Sequence, residues 1–256
     1  MQFRAITGTM LTAERRQTIL GRLDRDGKVV ASELVRSLGV SEDTVRRDLR
    51  ELAAGGLLQR VHGGALRPTP GVGPFTDRLD EAPEAKAHLA EAALPLLEGA
   101  GVIVLDGGTT ALELARRLPA DRDCTVVTNS PPVAVALAAH PRAEIVLIGG
   151  RLLKHAQVTV GSDTVDALRQ VHADVCVLGI CSLHPQIGVT TIHIDEAHVK
   201  RAMVEASGDV IALATADKLG TASPWHVAPL ADVTHLVTDG DDTTAYAAAG
   251  LTVVRA

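Results

Sequence analysis

The sequence predicts an α/β protein in two parts: a small, mainly helical head with a short hairpin, and a larger α/β domain on a mainly parallel sheet with helices on both faces. Three observations predict it. Seven short apolar runs, "GVIVLD", "CTVVTN", "AEIVLIGG", "ADVCVLGI", "DVIALAT", "THLVTD" and "LTVVR", follow residue 100, mostly separated by segments long enough for a helix. Their apolarity is continuous rather than alternating, the pattern of strands covered on both faces. "RPTPGVGP" at 67–74 holds three prolines and two glycines, which disfavour helix and strand interiors, and it divides the chain into a head at 10–67, a linker at 68–76 and a domain at 77–256. Charge changes sign at the same place: residues 1–67 carry a net +4 and the remainder −10, within a total of −6.

The chain has 256 residues, 46% of them hydrophobic, with only two Phe, one Trp and one Tyr, so Val, Leu, Ile and Ala must build its core. No run approaches the length of a spanning helix, and "MQFRAITGTM" lacks the apolar stretch of a secretory signal; the expectation is a soluble, cytoplasmic protein that meets no membrane. Cys124, Cys176 and Cys181 make no CxxC spacing and read as reduced structural residues.

No element is predicted for residues 1–9. From Thr12 to Leu23, Ile19, Leu20 and Leu23 recur at helical spacing, with Glu14 in the first turn, where it suits the helix dipole. Val29 and Val30 form a short extended pair. Ser32 is a candidate N-cap for a helix facing inward through Leu34, Val35 and Leu38 and stopped by Gly39. Ser41 caps the next helix, where Val45, Leu49 and Leu52 share one face while Asp43, Arg46, Arg47 and Arg50 fall on the other. Asp48, near the edge of the buried face, is expected to hold a neighbouring arginine. Two helices joined by a tight turn, the second basic outside, make a helix-turn-helix; the hairpin around Gly63 and Gly64 adds a wing, with Arg60, His62 and Arg67 near phosphates or a minor groove.

In a parallel sheet the ligand lies beyond the carboxyl ends of the strands. Those ends are Asp106, Thr128 with Asn129, Gly149 with Gly150, Gly179, Thr215 before Asp217 and Lys218, and Thr238 with Asp239. "DGGTTALELARRL" runs from a strand through Gly107, Gly108, Thr109 and Thr110 into an amphipathic helix, clustering backbone N–H groups and two hydroxyls at a positive helix terminus suited to a phosphate. Lys218, Lys200 and Arg201 add positive charge, and the Asn129 amide suits sugar hydroxyls. His193, Asp195, Glu196 and His198 are not in HExxH order, so no metal site is expected; no GxSxG or Ser/His/Asp order supports a nucleophile, and no catalytic residue or cofactor is assigned.

Taken in order, "MLTAERRQTIL", "ASELVRSLGVSEDTVRRDLRELAAGGLLQRVHGGAL", "FTDR", "EAK", "VIVLDGGTTALELARRL", "TVVTNS", "VLIGG", "VGS" and "EAHVKRAM" resemble the DeoR family of bacterial transcriptional regulators from Met10 onward. The resemblance implies a winged helix-turn-helix head and a sensor domain similar to ribose-5-phosphate isomerase and CoA transferases. It implies a repressor of carbohydrate catabolism, released from a double-stranded operator by a small phosphorylated sugar; a homo-oligomer, a dimer or larger, is expected because a dimer matches a two-fold operator. The resemblance maps the recognition helix to Ser41 through Leu52, with Thr44, Arg46 and Arg47 as DNA contacts, and the effector loop to Asp106, Gly107, Gly108, Thr109 and Thr110, with Asn129, Gly150 and Lys200 around it. The residue reading adds Ser41, Arg50, Arg60 and His62 toward DNA and Lys218 toward the effector. One departure stands out: the family's D-x-S-K pattern is replaced by "ATADKLG", with Thr215 in place of the acid. Two other readings of the same residues are a sugar-phosphate isomerase or transferase and a DNA-binding regulator with a vestigial sensor.

Overall fold

The computed structural model describes residues 11–69 and 73–256; the expected start at Met10 and linker positions 70–72 lie outside the described residues. The chain forms two compact units, one ending at Pro68 and one beginning at Thr69.

The first unit runs α1 (Thr12–Asp26), β1 (Lys28–Val30), α2 (Ala31–Leu38), α3 (Glu42–Ala54), β2 (Gln59–Val61) and β3 (Gly64–Leu66). Its three strands pair antiparallel in the order β1-β3-β2. Ile19, Leu23, Leu34, Val45, Leu49 and Leu52, the apolar positions of the three helices, meet Val29, Leu58 and Ala65 in one core. Each fully buried Leu or Ile there contributes about 1.5–3 kcal/mol. Helix α2 begins one residue before the expected cap: Ala31 N–H donates to Gly63 O at 2.7 Å, so the wing turn satisfies a first-turn donor and Ser32 stays exposed.

The second unit continues with α4 (Phe75–Leu79), α5 (Pro83–Ala93), β4 (Val102–Leu105), α6 (Thr109–Arg117), β5 (Cys124–Thr128), α7 (Pro131–Leu137), β6 (Ala143–Leu147), β7 (Arg151–Leu153) and β8 (Val158–Val160). It ends with α8 (Ser162–Leu168), β9 (Ala173–Gly179), β10 (Ser182–His184), β11 (Gly188–Thr191), α9 (Ile194–Glu205), β12 (Ser207–Leu213), β13 (Trp225–Ala228), β14 (His235–Thr238), α10 (Thr244–Ala248) and β15 (Thr252–Arg255). The seven apolar runs of the sequence make one sheet, ordered β15-β14-β12-β9-β4-β5-β6, parallel throughout. Successive residues of a strand serve opposite layers. Ile103, Leu105, Val175, Val177, Ile211 and Leu213 pack with α5, α6 and α7, while Val104, Cys176, Leu178, Val210 and Ala212 pack with α8 and α9. The chain moves outward from β4 through β5 to β6, then returns to place β9 on the other side of β4. The switch in direction therefore falls between β4 and β9, where a crevice opens at the carboxyl ends.

Among the described residues no helix is long and apolar enough to cross a membrane.

Candidate functional site

Two groups of residues concern function, one in each unit. In the first, Ser41 accepts from Thr44 N–H at 3.3 Å, and the two hydroxyls lie 2.9 Å apart, which caps α3 and fixes both side chains at its N-terminus. Arg46, Arg47 and Arg50 are exposed along α3; Arg46 pairs with Glu42 at 2.6 Å, whereas Arg47 and Arg50 have no ion-pair partner among the described residues. Arg60 and His62 are exposed on the wing. Arg67 instead turns inward, donating from Nε to Leu23 O at 3.3 Å and through its terminal nitrogen to Asp24 O, so it braces α1.

Asp48 is fully buried, and its partners are not the arginines of its own helix. It accepts from Arg15 Nη2 at 3.2 Å, from Arg15 Nε, and from Arg16 Nε at 3.1 Å, binding α1 to α3. Burial pushes the Asp48 carboxyl up, but the hydrogen bonds from Arg15 and Arg16 outweigh it and hold the group below its usual range.

In the second unit a cavity of about 180 Å³ opens at the switch point. Residues 106–111 after β4, 179–181 after β9 and Thr215, Asp217 and Lys218 after β12 line it, together with Glu196 and Lys200 of α9. Asp106 is buried and fully engaged: Oδ1 accepts from Gly107 N–H at 2.7 Å, and Oδ2 from Gly179 N–H at 3.0 Å and from Lys200 Nζ. Lys200 also donates to Gly179 O at 3.0 Å. This clamp joins the ends of β4 and β9. Burial pulls the Lys200 ammonium down, and the charges of Asp106 and Glu196 overcome it, so the group stays a cation.

Between the clamp and α6 the loop is tight. A Cβ on Gly107 would lie 2.1 Å from Val158 Cγ1, so only glycine fits. Among the described residues no side chain caps α6, which leaves its first-turn N–H groups beside the cavity lining at Thr109 and Thr110. Lys218 lines the same space without an ion pair among the described residues, and burial lowers its pKa. Burial, with the Asp106 charge behind it, raises the Glu196 carboxyl against the pull of Lys200, His193 and Arg78.

Seven expected effector residues, Asp106 to Thr110, Lys200 and Lys218, are thus brought together; Asn129 and Gly150 are not among the cavity's lining. Asn129 is buried beside the loop, its Nδ2 donating to Thr159 O at 2.8 Å. Gly150 makes room for a neighbour: a Cβ there would lie 2.1 Å from Thr164 Oγ1. Sequence reasoning placed no effector role on Arg78, Glu81, Lys86, His155 and Cys181, which also line the cavity. Arg78 and Lys86 do fall in the short stretches "FTDR" and "EAK". His155 and His193 meet edge to face, 5.6 Å between centroids. Among the described residues no group of three or more His, Cys, Asp or Glu is placed to hold a metal ion.

Comparison with known proteins places two family models on the chain: the DeoR-like helix-turn-helix domain over residues 15–70 and the DeoR C terminal sensor domain over 81–240. The chain is 37% identical over 253 residues to the HTH-type transcriptional regulator GlpR of Haloferax volcanii, covering 96% of this chain and 98% of that protein. It is 34% identical to the HTH-type transcriptional repressor GlcR of Bacillus subtilis, covering 90% and 89%. The glycerol-3-phosphate regulon repressor of Escherichia coli is 30% identical, covering 90% and 92%. Among solved structures, ribose 5 phosphate isomerase A from Neisseria gonorrhoeae aligns over 52% of each chain at 16% identity and a TM-score of 0.38.

Proposed function

The chain belongs to the DeoR family of transcriptional regulators, and on that premise we propose that it represses a carbohydrate catabolism operon and is released by a small phosphorylated metabolite. The observation that carries the sensor half is the α6 N-terminus: uncapped N–H groups, two buried threonines and Lys218, which has no ion pair among the described residues, face one cavity at the switch point of a parallel sheet. For the head, Arg47 and Arg50 are exposed cations on the outer face of a capped helix, with Arg60 and His62 on the wing. On DNA, α3 would enter the major groove with Ser41, Thr44, Arg46 and Arg47 as its contacts, and the arginines, Arg47 among them, would neutralise phosphates. A homodimer would match a two-fold operator. The effector acts through its differential affinity for DNA-competent and incompetent arrangements of the chain.

The reading as an isomerase or transferase is the weaker one. Asp106, the buried carboxylate nearest the loop, already accepts from two backbone N–H groups and Lys200, so its oxygens are engaged within the protein rather than turned to a substrate.

The test has two arms. Thermal shift against ribose 5-phosphate, glycerol 3-phosphate, fructose 1-phosphate and glucose 6-phosphate identifies a ligand; selection from a random duplex library identifies the operator. Weaker operator binding in the presence of the stabilising ester is the expected result. Unchanged binding at saturating ester overturns release by effector, and conversion of any ester to its isomer supports the enzyme.

A further inference from the structure

Among the described residues four Lys and Arg side chains line the cavity, and two are already committed. Lys200 is held by Asp106, and Lys86 donates through Nζ to the backbone oxygen of Arg78. Arg78 and Lys218 have no ion-pair partner among the described residues, although Glu81, Glu196 and Asp217 line the same space. Arg78 is the more unusual of the two. Its Nε is buried without a hydrogen-bond partner among the described residues, while its guanidinium lies 5.9 Å from the centroid of the Phe75 ring. A buried guanidinium N–H without an acceptor is costly, and a planar fork matches a phosphate better than an ammonium does.

The position of Arg78 along the chain adds a second property. It lies on α4, in the segment that leads from the end of the first unit into α5. Phe75 fastens that segment at one end: its ring is buried and its N–H donates to His155 O at 2.8 Å. At the other end Lys86 grips the Arg78 carbonyl, and between them Ala82 is held in the left-handed region, φ 44° and ψ 53°, which a residue with a Cβ rarely adopts. Five residues fold Phe75–Leu79, too few for a helix stable by itself. The segment is therefore a short strap with a strained turn, and it puts a charged side chain into the effector cavity.

We propose that Arg78 binds the anionic group of the effector and is the residue through which occupancy of the cavity tightens the strap leading from the DNA-binding unit. This rests on the reading of the cavity as a site for a phosphorylated metabolite. Lys218 would contribute attraction to the same anion; Arg78 alone would convert it into order at residues 75–82.

The experiment uses the full chain, the four phosphate esters named above and inorganic phosphate, with affinity from calorimetry and hydrogen exchange followed at residues 75–82. In the wild type, saturation with the stabilising ester slows exchange there. Arg78→Gln, which keeps a polar side chain as far as the Nε position and loses the guanidinium charge, is expected to weaken binding about tenfold or more and to abolish that slowing even at saturation. Arg78→Lys restores part of the affinity. Lys218→Met weakens binding too, yet at saturation the slowing returns, which separates a transmitting residue from a charge that only attracts. Binding by Arg78→Gln within about twofold of wild type, or slowing that persists in it, overturns the assignment of Arg78. If no ester or phosphate stabilises the wild type, the reading of the cavity itself fails and the assignment falls with it.

Discussion

Asp48 offers the sharpest test of how the head is held together. Its carboxylate is fully buried, as is Arg15 at 5% exposure, and Arg15 donates to it through two nitrogens. Asp48→Asn keeps the shape and removes the charge, so the Arg15 guanidinium stays in the protein without its carboxylate. Breaking a buried pair in this way costs about 3–5 kcal/mol. The Arg16 interaction adds little, because Arg16 is 28% exposed and solvent screens it. In a unit of this size each kcal/mol moves the midpoint by roughly 4–8 °C, so the head transition should fall by more than about 10 °C. Circular dichroism melts of the full chain read it, with Arg46→Ala as the comparison, since Arg46 has only the exposed pair to Glu42. The pH dependence has a definite sign. Because the folded carboxyl is held below its usual value, its stabilisation is complete above the unfolded value of about 4 and is lost as pH falls further. Asp48→Asn should therefore flatten the acid limb of the stability curve. A loss below about 1 kcal/mol, equal to that of Arg46→Ala, would refute the argument that this pair is a buried tie.

The DNA-binding face and the cavity can be tested in the same way. Arg47→Ala should weaken operator binding and reduce the salt slope by about 0.9, the value for the single phosphate that this side chain would neutralise; an unchanged slope in a fluorescence titration removes Arg47 from the DNA interface. Gly107→Ala forces a Cβ against Val158 Cγ1 and should abolish stabilisation by the phosphate ester while leaving operator binding in place; retained thermal shift would show that the loop yields. Burial raises the Glu196 carboxyl, so its negative charge appears in the cavity only as pH climbs above the ordinary carboxylate range, and affinity for an anion should fall over that rise. Glu196→Gln should remove that component in calorimetry across pH, and an identical profile in the variant would remove Glu196 from the site.

What the sequence discloses follows from the range of the forces involved. The seven strands of the large sheet are legible because burial on both faces demands unbroken apolar runs, and α3 is legible because Val45, Leu49 and Leu52 repeat at helical spacing. The β7–β8 hairpin and the small β10-β11-β13 sheet are not, since "RLL", "VTV" and "SLH" are too short and mixed to carry a period. Strand-end reasoning located Asp106 and its loop, but it gave Asn129 and Gly150 the same standing, and only packing turns one under the loop and the other against Thr164. Asp48 does hold arginines, as expected, but its partners lie 32 and 33 residues away, beyond any local pattern, so the sequence could not say which. Arg78 reaches the cavity only because α4 folds back over it, so its charge carries no sign of its role in a linear reading.

The two buried ion pairs do different work despite their similar chemistry. A buried pair is often no more stable than an apolar pair of the same volume, because desolvation offsets the attraction. By that measure the Asp48 tie is replaceable in principle, since the donors it accepts from, Arg15 and Arg16, are side chains that could be exchanged with it. Asp106 is not replaceable in that way. Beyond Lys200 it accepts the N–H groups of Gly107 and Gly179, which an apolar residue would leave buried and unsatisfied at about 1–3 kcal/mol each. Those two N–H groups belong to the turns that end β4 and β9, so the carboxylate sets the spacing of the crevice between them. Lys200 is engaged by that carboxylate and by Gly179 O, and recognition of an anion would then fall to the loop amides and to Lys218 and Arg78, the lining cations that carry no ion pair among the described residues.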